Sequence, residues 1–133
     1  VTPCPHASGL RSGRWRRWLV QAGVDVVSGA HGQKEGRESH WEMWALARGR
    51  WSPIDALQAA TIMPARNLGL DQDIGSLEVG KLADLVIMRA NPLDDIGNTD
   101  EIDWVMLNGR LYDATTMNET VTGDHDRQPY FWE

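Results

Sequence analysis

The sequence predicts an α/β fold, and three stretches carry that prediction. Trp15 to Ala22 places Trp15, Trp18, Leu19 and Ala22 at i, i+3, i+4 and i+7; Gly23 and the apolar run Val24 to Val27 follow. Helix, glycine and apolar strand in that order make the αβ half of a βαβ unit. Leu82 to Met88 reads as a buried strand interrupted only by Asp84, with Gly75 and Gly80 before it and Asn91-Pro92 closing it. Asn108-Gly109, between the runs Ile102 to Leu107 and Arg110 to Tyr112, is a hairpin turn, because both residues tolerate the positive φ of a type I′ turn.

Totals narrow the class. A chain of 133 residues holds one domain or part of one. A hydrophobic fraction of 41% and a charged fraction of 24% are ordinary for a soluble globular protein, and the expectation is a cytoplasmic-type chain. The net charge of −6 argues against nucleic acid as a partner. The single Cys4 rules out an intrachain disulfide and a four-cysteine zinc site. No apolar run reaches the ~18 residues of a membrane span, so no membrane partner is expected. The chain lacks an initiator Met and begins in no recognisable element, and the expectation is a fragment.

Three parts follow in order. Residues 1–13, rich in Pro, Gly, Ser and Arg, form an irregular tail. Residues 14–72 hold the helices and the first strand. After the strand, Gln33 to Ser39 is a surface loop, and His40 to Arg48 is a helix carrying Trp41, Met43, Trp44, Ala45, Leu46 and Ala47. Apolar nearly all round, it is expected to be buried, with Trp41, Trp44 and Trp51 in the core and Gly49 as its stop. Ser52 as N-cap, Pro53 at N1 and Asp55 at N3 open another helix, with Ile54, Leu57 and Gln58 on one face, running to about Thr61. Pro64 to Leu68 adds a short helical turn capped by Gly69. Residues 73–133 are β-rich around the hairpin at 108–109. Leu93 to Glu101 is an acidic loop, and Tyr130-Phe131-Trp132 is placed to tack the tail to the body.

Chemistry concentrates at few positions. His31 stands at the end of the first predicted strand, between Ala30 and Gly32. Active groups of βαβ units gather at that edge, and an imidazole there can ligate a metal or move a proton; a histidine bonded to loop backbone is the alternative. His40 and Glu42 are candidates for substrate binding. On a helix they lie about 200° apart and do not converge on one ion, although a helix beginning after His40 relaxes this. His40-Trp41-Glu42 lacks the downstream Cys-x-x-Cys of zinc deaminases. No His-Glu-x-x-His, P-loop or nucleophile elbow occurs. Asp84, a carboxylate inside an apolar strand, is read as structural, with Lys81 or a backbone donor as its partner.

Four blocks resemble the metal-dependent amidohydrolases. They are Ala22-Gly-Val-x-Val-Val-Ser-Gly-Ala-His31, Ser52-Pro-Ile-Asp-Ala-Leu running to Leu68-Gly69, Gly75-x-Leu-x-x-Gly-Lys-x-Ala-Asp-Leu-Val86, and Asn91-Pro92-Leu93 with Val105-Met-Leu-Asn-Gly-Arg110. Gly29-Ala-His-Gly-Gln33 and His40-Trp-Glu-Met-Trp44 look like the branch akin to imidazolonepropionases and prolidases.

The resemblance implies the C-terminal fragment of a (β/α)8 metal-dependent hydrolase barrel followed by part of a small β-sandwich domain. Residues 14–72 become the last strand and final helices of the barrel. It implies hydrolysis of amide-type C–N bonds of small molecules in the full-length protein, with a divalent metal, usually zinc. His31 stands where most members carry the last-strand Asp, and the other ligands, His-x-His first, are absent. The expectation is therefore a chain that neither hydrolyses nor binds metal tightly alone and that self-associates through an exposed barrel edge. The competing expectation is a non-catalytic binding or scaffold domain.

Overall fold

The computed structural model describes residues 18–31, 36–129 and 131. The predicted tail 1–13, with Cys4 and the arginines before Trp18, lies outside them, as do Tyr130 and Trp132. Residues 18–21 are helical, and Gly23 at φ +80° ends the turn. The next segment is not the predicted strand. Residues 24–31 run without a ladder partner among the described residues. A strand exists by pairing, and the sheet this chain does build lies elsewhere. Two backbone bonds tie the segment down, from Val24 N to Leu19 O at 2.9 Å and from Ser28 N to Ala59 O at 2.8 Å. Val26 is buried while Val24 and Val27 are exposed.

Helix α1 spans Glu38–Arg48, α2 Pro53–Ala60 and α3 Ile62–Asn67. Helix α1 starts two residues earlier than expected, so His40 is inside it. It stops at Gly49, but Gly49 keeps φ −77° and Arg50 takes the left-handed conformation at +71°. The predicted capping box opens α2: Ser52 Oγ accepts from Asp55 N at 3.3 Å, and Asp55 Oδ2 accepts from Ser52 N at 3.4 Å. The buried face of α2 is not Ile54, Leu57 and Gln58 but Ala56 and Ala59. The small side chains face the core and leave Ile54 exposed. The core gathers Val26, Met43, Leu46, Trp51, Ala56 and Ala59, with Leu19, Trp44, Leu57, Met63 and Ile96 packed around it. Of the three tryptophans expected in the core, Trp51 is buried and Trp44 half-buried, whereas Trp41 is 43% exposed.

Residues 70–84 fold back on α3. Gly75 sits at φ +91°, and a Cβ there would lie 2.7 Å from the Ala65 Cβ and 3.0 Å from the Ile62 Cα. Only glycine meets both the dihedral and the close approach. Lys81 Nζ donates to Asp71 O at 2.6 Å and to Ser76 Oγ, and pairs with Glu78 at 3.1 Å. Lys81 is thereby occupied, and Asp84 uses the backbone donor instead: Asp84 Oδ1 accepts from Asn108 N at 2.6 Å. Ala83 O accepts from Gly109 N at 3.1 Å, so both residues are tied to the hairpin turn and the strand begins only at Leu85.

Strands β1 (Leu85–Met88), β2 (Ile102–Leu107) and β3 (Arg110–Asp113) form an antiparallel sheet in sequence order. Val86 faces Val105, and Leu107 faces Arg110 across the turn, where Asn108 at φ +49° and Gly109 at +78° are the predicted pair. Strand β1 is not buried: Val86 is 46% and Ile87 41% exposed. Successive strand residues point to opposite faces, so neither face is fully covered. The predicted acidic loop contains a 3-10 helix, Ile96–Asp100. Beyond β3, the buried carboxylate of Glu119 gathers the N–H groups of Val121, Thr122 and Gly123 and the Thr122 hydroxyl. Led by the Thr122 hydroxyl, these donors hold its pKa down at about 2. Phe131 is 95% exposed.

Candidate functional site

The end of the 24–31 segment faces one side of α1 across an open cleft of about 280 Å³. Gly29, Ala30 and His31 form one wall; Glu38, Trp41, Glu42 and Ala45 form the other. The helical wall follows from spacing, since positions 38, 41, 42 and 45 are i, i+3, i+4 and i+7. Glu42 Oε2 accepts a hydrogen bond from Gly29 N at 3.2 Å, which ties the His31 segment to the helix. Small residues at Gly29 and Ala30 keep the cleft open beside the imidazole.

Of the sequence-predicted residues, His31 and Glu42 share this cleft and His40 does not. With His40 inside α1, it lies about 200° round the helix from Glu42. The His40 Nδ1 is buried and makes no hydrogen bond among the described residues. Glu38 and Trp41 were missed. The signal for both is their spacing from Glu42 and Ala45; Glu38 lies before the predicted helix start, and Trp41 is expected in the core instead. A larger cavity, about 460 Å³, is lined by Val20, Gln21, Arg50, Trp51, Ser52, Asp55 and Met63 and shares no residue with the first. Its Ser52 and Asp55 are engaged in the cap of α2.

The cleft offers an imidazole, carboxylates and an indole face. Neutral imidazole donates at one ring nitrogen and accepts at the other. The set suits holding a polar small molecule and moving a proton to or from it. It does not by itself fit a divalent metal. Among the described residues no three His, Cys, Asp or Glu side chains converge on a point, and a zinc shell usually takes three or four protein ligands. No helix among the described residues is long and apolar enough to cross a membrane.

Known proteins resemble this chain over much of its length. The model of the amidohydrolase family matches residues 9–112. An imidazolonepropionase of Symbiobacterium thermophilum is 57% identical over 37 residues, covering 28% of this chain and 9% of that protein. The ochratoxinase of Aspergillus niger is 27% identical over 115 residues, covering 84% of this chain and 24% of its own length. Among solved structures, a Xaa-Pro dipeptidase with methionine bound in its active site superposes with a TM-score of 0.69 at 31% identity, over 79% of this chain and 25% of its own. The chain thus spans a quarter or less of the length of each.

Proposed function

The chain belongs to the amidohydrolase family, and on that premise we propose that it forms the C-terminal end of a (β/α)8 metal-dependent hydrolase with part of its small β-sandwich domain. The full-length protein cleaves amide C–N bonds of small, dipeptide-like or non-peptide substrates in the cytoplasm. Its divalent metal, zinc in this reading, is held by side chains that this chain does not supply. The observation that carries the reading is the family match over residues 9–112, which includes His31 and the helix facing it. The names of the relatives, a dipeptidase and an imidazolonepropionase, support a C–N bond as the target.

Within that reading His31 takes the last-strand position and serves as the group that exchanges a proton with the reacting amide. Cleavage of an amide leaves an amine that must gain a proton, and an imidazole that accepts at one nitrogen and donates at the other can perform that exchange. Glu42 holds the His31 segment through Gly29 N, and Trp41 offers the substrate a flat apolar wall.

The test uses the longest polypeptide encoded in frame with this chain, assayed on a panel of acyl-proline dipeptides and acyl amides with divalent metal. Hydrolysis is expected there, with His31→Ala lowering kcat roughly 10²–10⁴-fold, and no turnover by the 133-residue chain alone. Hydrolysis by the isolated chain, abolished by a chelator, would sink the division of labour. A long polypeptide that binds but never cleaves would point to the scaffold reading.

A further inference from the structure

Among the described residues, a hydrogen bond anchors the side of α1 away from the cleft. Trp44 Nε1 donates to Thr99 Oγ1 at 2.9 Å, and the same hydroxyl donates to Ile96 O at 2.9 Å. Thr99 is fully buried, with 0% exposure, in the 3-10 helix that leads directly into β2. His40, one turn before Trp44 and on the same face, leaves its buried Nδ1 without a partner and so adds no polar anchor. On the cleft side, Glu42 receives the Gly29 N–H. Trp44 and Glu42 are two residues apart, about 200° around the helix. Met43 and Leu46 pack α1 into the core, and hydrogen bonds on its opposite sides add a directional restraint on its roll.

We propose that Thr99 is a positioning residue for the cleft: through Trp44 it sets the roll of α1 and thereby the bond from Gly29 N to Glu42 that holds the His31 segment. The importance of this for catalysis rests on the proposed function, but the linkage itself does not. It makes the 3-10 helix of the β-rich part, distant in sequence from residue 31, a determinant of the site.

Amide and indole NMR spectra of the 133-residue chain test it. Trp44→Phe identifies the Trp44 indole signal by its loss. In Thr99→Val, which keeps the shape and removes the hydroxyl, the Trp44 indole proton and the Gly29 amide proton both move upfield, while the Val105 amide in β2 stays in place. Thr99→Ser restores both signals. In a Glu42→Ala background, Thr99→Val moves the Gly29 amide no further. A folded Thr99→Val variant whose Gly29 amide is unmoved, or whose Trp44 indole does not respond, overturns the proposal. Should Thr99→Val not fold, Trp44→Phe removes the same bond from the other side, and an unmoved Gly29 amide there overturns it equally. None of these signals depends on hydrolysis, so the linkage and the proposed activity fail separately.

Discussion

The helical part, residues 18–67, and the sheet part, residues 85–127, are held together by different physics. Every buried hydrophobic side chain among the described residues belongs to the first: Val26, Met43, Leu46, Trp51, Ala56, Ala59 and Ala65. The buried residues of the second are polar, Thr99 and Glu119. Its strands leave Val86, Ile87 and Leu107 exposed, and its order comes from backbone ladders and from carboxylates that gather N–H groups at turns. A hydrophobic core tolerates little loss of volume. A sheet uncovered by apolar partners depends on its turns, and its exposed faces are where another layer or another molecule would sit.

Four perturbations sharpen or break this contrast. Leu46→Ala, at a fully buried core position, should cost about 2–5 kcal/mol in denaturant unfolding; a loss under about 1 kcal/mol would mean that the helical part has no core of its own. Gly75→Ala should cost about 2–4 kcal/mol, since it adds a Cβ against Ala65 at a positive φ. A neutral outcome there would show that the 70–84 segment is not fixed to α3.

Glu119 predicts an acid-sensitive loop. Its folded pKa of about 2 lies below the ordinary 4.5, so its contribution is complete above pH 4.5 and is lost as pH falls towards 2. Exchange protection of the Thr122 and Gly123 amides, taken relative to the unfolded-chain rate at each pH, should fall across that window, and Glu119→Gln should remove that change in protection. Loosening that persists in Glu119→Gln would assign it to another carboxylate. Val86→Thr should be the mildest, within about 0.5 kcal/mol, and should lower apolar dye binding and self-association. A loss well above that would place Val86 in a core and erase the contrast.

Legibility in the sequence followed the range of the determining interaction. The capping box at Ser52, the hairpin turn at Asn108-Gly109 and the helix stop at Gly23 are set within a few residues, and each stands where the sequence placed it. Asp84 does take a backbone donor, as expected, but it is exposed and precedes β1, so burial inside the strand is not what requires that partner. The strand at 24–27 failed because its apolar composition states a preference, whereas pairing needs a partner strand. Burial of β1 failed for the same reason: an apolar strand is buried only if something covers it. At the site, His31 was found from its place at the end of an apolar run, and Glu42 from its proximity to His40. Glu38 falls outside the helix that the sequence predicts, which begins two residues too late, and Trp41 is expected in the core although it lines the cleft.

The sequence by itself determined the turns, the caps, most of the helices and the family, since each is written in adjacent residues or in short motifs of fixed spacing. Tertiary structure alone decided which faces are buried, that His31 shares a cleft with Glu42 and not with His40, and that Thr99 answers Trp44 across 55 positions of chain. Those outcomes depend on how whole elements roll and pack against one another. Local preference leaves that freedom open, and only the packed core and its few buried hydrogen bonds close it.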